Sequence, residues 1–144
     1  MIRIMQDKDV REVALLEQEC FSMPWTEVSI KKEIENKDSL FCVCEIEGKV
    51  VGYAGMYYAY PEGDITNVAV TKAYRGRGIA KKILDYMFVQ ALEDGVTEYT
   101  LEVRVGNEKA IHLYEKLGFL SAGIRKNFYD NPKEDALIMW KNKI

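Results

Sequence analysis

The segment from Asn67 to Ala80 constrains the possible folds of this chain more than any other stretch. Apolar residues ending at Val70 indicate a buried strand, a short polar turn follows, and a helix is expected to begin at Ile79. Glycine and arginine alternate between them, from Arg75 to Gly78. Glycines let backbone amides turn toward one point, and the amino end of a helix adds partial positive charge. Because arginine suits phosphate, the loop predicts an anion site for the phosphates of a nucleotide-containing cofactor.

Two common phosphate-binding loops do not fit this segment. The P-loop needs Gly-Lys-Ser/Thr, whereas Gly78 is followed by Ile79. The dinucleotide-binding pattern needs a small residue three positions after its second glycine, where this chain has Lys81. A glycine-rich turn without a ligand is the remaining alternative.

Composition bounds the class of protein. The chain has 144 residues, which predicts a single domain over residues 1–144. A net charge of −3 argues against binding nucleic acid by charge alone, so we expect no nucleic-acid partner. The sequence has no apolar run long enough to span a bilayer and no secretory segment at Met1, so we expect a cytoplasmic protein without membrane association. The oligomeric state is left open.

Cysteine and histidine usage argues against metal chemistry. The three cysteines, Cys20, Cys42 and Cys44, contain no Cys-x-x-Cys pair, and the single histidine, His112, has no cluster of ligands around it. We therefore expect reduced, buried thiols and no metal site.

Hydrophobic periodicity predicts an α/β fold with one mixed sheet and the element order βααβββαβαββ. The predicted strands are residues 2–5, 40–46, 50–60, 65–70, 97–105, 119–127 and 136–141. The predicted helices run from Asp7 or Asp9 to about Cys20, from Thr26 to about Asn36, from Ile79 to about Glu93 and from Asn107 to Leu117. Leu15 and Leu92 are expected on the buried faces of the first and third helices, and Gly52 and Gly55 predict close packing or a bulge.

The glycine–arginine loop carries a family resemblance. Arg75-Gly76-Arg77-Gly78-Ile79-Ala80 is similar to the Arg/Gln-x-x-Gly-x-Gly/Ala signature of the GNAT N-acetyltransferases, and the predicted element order resembles their fold along the whole chain. The resemblance implies acetyl-CoA as the acetyl donor. It implies a cofactor-binding set made of Val68, Ala69 and Val70, whose backbone would pair with the pantetheine arm, and of Arg75, Gly76, Arg77, Gly78, Ile79, Ala80 and Lys81 around the pyrophosphate. It also implies a pantetheine contact at Asn107, which is compatible with a helix cap there.

A narrower resemblance is to the ribosomal-protein-alanine N-acetyltransferases. The segments that carry it are 20–25, 67–80, 101–107, 110–119 and 123–129, together with Glu134-Asp135-Ala136 and Met139. This resemblance implies that the acceptor is the N-terminal α-amino group of a protein, namely the alanine that begins a small-subunit ribosomal protein with a basic tail.

Glu102 is the candidate general base. In the strand around it, Leu101, Val103 and Val105 face one side, while Glu102 and Arg104 face the other. A solvent-facing carboxylate paired with Arg104 is the plain alternative. The resemblance implies instead that the glutamate of this Leu-Glu-Val-Arg segment removes the proton from the amine.

Tyr114 is the candidate general acid. It lies on an apolar stripe with Ala110, Ile111 and Leu117, which also fits an ordinary core tyrosine. The resemblance implies that this tyrosine, in a Leu-Tyr-Glu-x-Leu-Gly-Phe motif, donates a proton to the coenzyme sulfur.

The residues that would recognise the acceptor are less specified. Aromatic and acidic candidates for a peptide groove are Trp25, Tyr57, Tyr58, Tyr60, Tyr129, Glu62, Asp64 and Asp130, and plain packing explains the aromatic ones equally well. Alternative functions are acetylation of a small amine or lysine side chain, and a non-catalytic acyl-CoA-binding module. A nucleic-acid site on Arg75, Arg77, Lys81 and Lys82 is disfavoured by the overall charge.

Overall fold

The fold is that of a computed structural model, which describes residues 1–142. In chain order its elements are β1 (Ile2–Ile4), α1 (Val10–Cys20), α2 (Glu27–Ile34), β2 (Ser39–Ile46), β3 (Lys49–Ala59), β4 (Glu62–Val70), α3 (Ile79–Glu93), β5 (Glu98–Arg104), α4 (Glu108–Lys116), β6 (Leu120–Tyr129) and β7 (Glu134–Asn142). Single turns of 3-10 helix cover Asp7–Asp9 and Lys72–Tyr74. The predicted order βααβββαβαββ is confirmed.

The strands form one seven-stranded sheet in the order β1-β2-β3-β4-β5-β7-β6. All neighbours are antiparallel except β4 and β5, which run parallel. Their pairing is short, joining residues 62–65 to residues 98–101. The single parallel pair therefore lies at the centre of the sheet. Here β4 and β5 stop pairing several residues before either strand ends.

Helices cover both faces of the sheet because its strands alternate between two cores. Cys42 of β2 packs in the core under α3 and α4, whereas its neighbour Val43 packs in the core under α1 and α2. Strand side chains point alternately to opposite faces, so each buried strand supplies both cores. We call these the α3/α4 face and the α1/α2 face.

Local signals explain several element boundaries. The Thr26 hydroxyl accepts a hydrogen bond from Ser29 N at 3.2 Å and caps α2 as predicted. The β2–β3 turn places Gly48 at φ +77°, in the left-handed region that favours glycine. A Cβ on Gly55 would lie 2.3 Å from the Phe41 ring, so the expected close packing is confirmed at that position.

Two of the residues predicted to be buried are not. Leu15 of α1 is 57% exposed and Leu92 of α3 is 46% exposed. The buried face of α1 includes Val13, Ala14 and Glu17. Leu15 lies on a different side of the helix. On α3 the last buried residue is Ala91, and Leu92 lies outside the buried face of the helix.

All three cysteines are free; Cys42 and Cys44 are buried, and Cys20 is partly exposed. Among residues 1–142 no group of three or more His, Cys, Asp or Glu side chains is arranged to hold a metal ion. The described helices are all too short or too polar to cross a bilayer.

Candidate active site

A β-bulge opens the central cleft. Gly55 of β3 faces Asn67 of β4, while the next residue, Met56, faces Ile65, so Thr66 is an extra residue on β4. Pairing between β4 and β5 also stops at Ile65, immediately before this bulge. Bulges bend a strand and re-aim its side chains. Beyond residue 65 the two strands therefore diverge, and a cleft of about 910 Å³ lies between them and the surrounding loops.

The cleft is lined from both faces of the sheet and collects most of the predicted site residues. Those that line it are Val68, Ala69, Val70, Arg75, Gly76, Gly78, Ile79, Ala80, Lys81, Glu102, Asn107 and Tyr114. Arg77 does not line it; its guanidinium lies 4.8 Å from the centre of the Tyr74 ring. Sequence positions from 68 to 114 are thus brought to one site.

The loop before α3 has the backbone geometry of an anion cradle. Gly76 and Gly78 have φ of +79° and +76°, and a Cβ on either would meet nothing within 4 Å. Gly78 is the N-cap of α3 and supplies no side chain to bond the first amides of that helix. The helix therefore presents open amides and partial positive charge to the cleft.

Two contacts hold the start of this loop. Arg75 Nε donates a hydrogen bond to the Val70 carbonyl at 2.8 Å. The Glu19 carboxylate accepts bonds from Thr71 Oγ1 and from Lys72 N, both at 2.8 Å. These bonds lower the pKa of Glu19. Sequence reasoning missed Glu19 because nothing in its own helix links it to a loop more than fifty residues later.

Asn107 and Tyr114 lie at opposite ends of α4. Asn107 Oδ1 accepts a hydrogen bond from Ala110 N at 3.2 Å, so its predicted role as a helix cap is confirmed. Tyr114 is buried beside Phe119 in the core of the α3/α4 face. Within residues 1–142 its hydroxyl makes no hydrogen bond to another residue, and that oxygen is not fully shielded, because the side chain lines the cleft. Burial, with a smaller effect of Tyr129, raises the pKa of Tyr114 to about 12.

Glu102 faces the opposite side of the sheet from Tyr114. Leu101 and Val103 are buried on the α3/α4 face, and Glu102 alternates to the other face. One Glu102 oxygen lies 2.8 Å from Arg125 Nε. The expected alternative of a pair with Arg104 is therefore wrong.

Arg104 instead contacts the end of β6 and the turn that leads into β7. It lies 3.3 Å from Glu134, donates hydrogen bonds to the carbonyls of Pro132 and Asp130, and stacks 4.4 Å from the centre of the Tyr129 ring. These contacts hold the β6–β7 turn against the end of β5. Glu102 is left with Arg125 as its ion-pair partner among the described residues.

The candidate acceptor residues divide into two groups. Trp25, Tyr129 and Asp130 line the cleft, whereas Tyr57, Tyr58, Tyr60, Glu62 and Asp64 do not. Tyr58 is a core residue whose hydroxyl donates to Asp94 at 2.9 Å. Asp64 lies near Glu102, and burial followed by the Glu102 charge raises its pKa.

Comparison with known proteins identifies the family. The sequence profile of the acetyltransferase (GNAT) family matches residues 10–119. The ribosomal protein bS18-alanine N-acetyltransferase of Escherichia coli (strain K12) is 31% identical over 140 residues, which cover 96% of this chain and 94% of that protein. A Bacillus subtilis (strain 168) protein, provisionally named for the same activity, is 36% identical over 140 residues, covering 96% of this chain and 93% of its own.

A solved structure agrees with the sequence relatives. The crystal structure of the Escherichia coli ribosomal-protein-S18-alanine N-acetyltransferase has a TM-score of 0.91 to this chain at 30% identity. The match covers 99% of this chain and 93% of that one. The chain therefore belongs to the acetyltransferase (GNAT) family and is an N-acetyltransferase that takes its acetyl group from acetyl-CoA.

Proposed function

We propose that this protein transfers the acetyl group of acetyl-CoA to the N-terminal α-amino group of a protein, the N-terminal alanine of a small-subunit ribosomal protein. The named activity of its relatives in Escherichia coli and Bacillus subtilis supports that acceptor. The resemblance over residues 20–25, 110–119 and 123–129 supports it independently of the cofactor loop.

The observation that carries the proposal is that the cleft passes through the sheet. Tyr114 reaches it from the α3/α4 face, and Glu102 reaches it from the other face. A donor bound from one face and an acceptor bound from the other would meet between the diverging strands. This arrangement favours direct transfer without a covalent intermediate on the enzyme.

The donor fits the α3/α4 side of the cleft. The open amides at the start of α3, together with Arg75 and Lys81, would hold the pyrophosphate. The backbone of residues 68–70 has lost β5 as a neighbour, so it is available to pair with the amides of the pantetheine arm. Acetyl-CoA supplies the acyl group as a thioester, which is activated toward amines.

Glu102 is proposed as the general base. An α-amino group has a pKa of about 8, so near neutral pH the enzyme needs to contribute only modestly to its deprotonation. Glu102 would accept the proton that the nitrogen loses as the new C–N bond forms, directly or through water. Its Arg125 partner is exposed, so an incoming ammonium group can compete for the carboxylate.

Tyr114 is proposed as the general acid. When the C–S bond breaks, its hydroxyl would protonate the departing sulfur, giving the free thiol and the acetylated amine. The Tyr114 pKa of about 12 keeps this proton in place at neutral pH. A thiol has an ordinary pKa of about 8.5, so proton transfer from Tyr114 to the thiolate is uphill and is favoured when it accompanies C–S cleavage. The unpartnered hydroxyl is consistent with such a role.

The acceptor assignment is tested by acetyl-CoA turnover on a panel of peptides. The peptides begin with alanine, serine or methionine, and a fourth has a blocked N-terminus and an internal lysine. We expect the highest kcat/KM on the alanine peptide, with the product acetylated at the α-amino group by mass spectrometry. Preferred turnover of the blocked lysine peptide or of free amines would overturn the proposal in favour of a side-chain or small-amine acetyltransferase.

A further inference from the structure

A buried polar cluster lies on the α1/α2 face of the cleft. Glu17 is 1% exposed and its carboxylate accepts three hydrogen bonds. The donors are the Tyr53 hydroxyl, Asn67 Nδ2 at 3.1 Å and the Trp25 backbone N–H at 2.9 Å. A buried carboxylate needs such donors, and three are enough to satisfy it. None of these groups has a role in the mechanism proposed above.

The cluster determines which way the Asn67 amide points. Because Nδ2 donates to the Glu17 carboxylate, Oδ1 is turned away from it. The reverse orientation would place an amide oxygen against a carboxylate oxygen, and two acceptors repel each other. Asn67 itself is 7% exposed, and its Oδ1 is the single buried side-chain polar atom without a partner within residues 1–142. Leaving a buried acceptor unpaired destabilises the folded state.

The position of Asn67 gives that unpaired oxygen a function. Asn67 follows the Thr66 bulge and lines the cleft together with Glu17 and Trp25. It packs with the α1/α2 face, which is also the face presented by Glu102. Because Oδ1 is shielded from bulk water, a hydrogen-bond donor that enters the cleft from this face would satisfy it by direct contact with the Asn67 side chain.

We propose that Asn67 Oδ1 accepts a hydrogen bond from the N–H of the acceptor amine and so orients the nucleophile, with Glu17 as the residue that positions the amide. This inference rests on the proposed function, in that it assumes an amine acceptor. An amide oxygen can accept an N–H bond but cannot protonate the nitrogen, so the nitrogen lone pair stays free for attack. Such positioning would increase the rate, because a reaction is strongly slowed when the reacting atoms are misaligned.

Glu17→Gln separates this role from a structural one. An NH₂ group in the place of the Glu17 oxygen that faces Asn67 would repel Asn67 Nδ2 and favour a reversed amide, whose Oδ1 accepts from the introduced NH₂ group and no longer faces away from it. We expect the melting temperature to stay unchanged or to rise, while KM for the acceptor peptide increases about three- to tenfold. The KM for acetyl-CoA should not change. A merely structural Glu17 would instead lower the melting temperature and leave the acceptor KM unaltered.

Asn67→Ala is the second variant, and it should raise the acceptor KM by a similar factor. Tyr58→Phe is the control, because it removes another tyrosine–carboxylate hydrogen bond, the partly buried one of 2.9 Å to Asp94, which lies outside the cleft. It should leave both KM values within twofold of the wild type. An acceptor KM that stays within twofold in both Glu17→Gln and folded Asn67→Ala, or an equal rise in both KM values, would overturn the inference. If the wild type proves to acetylate a different amine, the proposed function fails. The ratios of variant to wild-type KM are then measured with that amine as the acceptor.

Discussion

The Glu102 carboxylate and the Arg125 guanidinium lie 2.8 Å apart although their strands, β5 and β6, are separated by β7. The Arg125 side chain is 59% exposed and that of Glu102 is 23% exposed. An ion pair in this setting contributes about 0–1 kcal/mol, so it holds the carboxylate in place without preventing exchange for another cation. The pair is therefore suited to keep Glu102 oriented for its proposed role as the base.

Glu102→Gln should lower kcat by about 100-fold or more, because a positioned base contributes 10²–10⁴-fold and glutamine cannot accept the proton. The rise of kcat with pH should become weaker. Steady-state kinetics between pH 6 and about 9 on the alanine peptide, bracketing the α-amino pKa, measure both effects. Arg125→Gln provides the comparison and should change kcat far less, since the carboxylate remains. A Glu102→Gln enzyme with wild-type kcat and pH profile would end the assignment.

Tyr114→Phe should slow turnover by at least about 100-fold while the Kd for acetyl-CoA stays nearly the same. The hydroxyl has no partner within the described residues, so its loss should cost little stability. Because the folded-state pKa is raised to about 12, the wild-type tyrosine keeps its proton as the pH rises to about 10, and kcat should not fall there through this group. Full turnover by the phenylalanine variant would exclude Tyr114 as the acid.

Gly78→Ala should weaken acetyl-CoA binding, since φ of +76° is unfavourable for alanine and the loop amides would shift. Gly48→Ala is a matched control, because Gly48 has φ of +77°, equally open space around its Cα and a position in the β2–β3 turn. Both variants should lose about 1 kcal/mol of unfolding free energy. Isothermal titration should detect a raised Kd for the coenzyme in Gly78→Ala alone. Equal Kd values in the two variants would show that the loop does not bind the coenzyme.

Asp9→Asn should lower the free energy of unfolding at pH 7 by about 2 kcal/mol, the loss expected for charged hydrogen bonds. Arg3 donates two bonds to this carboxylate, at 2.8 and 2.9 Å. Burial opposes ionisation of Asp9, but the Arg3 bonds and the Gln6 amide outweigh it and lower the pKa of Asp9. The stabilisation is therefore present above the ordinary carboxyl pKa and is lost as the pH falls through the lower, folded-state value.

Urea titrations at several pH values test this, and the gap between wild type and Asp9→Asn should close at acidic pH. Asp85→Asn, which breaks an exposed pair with Lys81, should change stability by less than about 0.5 kcal/mol at any pH. A gap that persists unchanged in acid would contradict the ion-pair explanation.

Asp130→Lys should raise KM for a basic acceptor peptide several-fold, and added salt should reduce the difference. Asp130 lines the cleft, whereas Glu62 and Asp64, the other acidic candidates from the sequence, do not. Glu62→Lys makes the same change of charge and should have a smaller effect. A larger increase in KM for Glu62→Lys would indicate instead that the peptide passes the end of β4 that begins at Glu62.

Much of the fold could be predicted from the sequence because its signals are local. The start of α2 at Thr26, the Asn107 cap and the alternation in β5 each depend on a few adjacent residues, and all appear where they were expected. The errors at Leu15 and Leu92 occurred at the margins of helix faces, where the width of the buried arc depends on what packs against it.

Pairings across the sheet could not be predicted in this way. The choice of Arg125 rather than Arg104 as the partner of Glu102 depends on the strand order β5-β7-β6 and on the competing contacts of Arg104 with Glu134 and Tyr129. The same holds for Glu19 and for the cluster around Glu17, whose partners are far away in sequence.

The sequence by itself determined the order of the elements, the glycine-rich turn at Gly76 and Gly78, and the family to which both resemblances pointed. Only the tertiary structure decided that the Thr66 bulge separates β4 from β5, that Tyr114 and Glu102 approach the resulting cleft from opposite faces, and that Asn67 Oδ1 is left without a partner there. The physical reason is that backbone preferences act over a few residues, whereas register, facing and hydrogen-bond satisfaction depend on which distant segments are packed together.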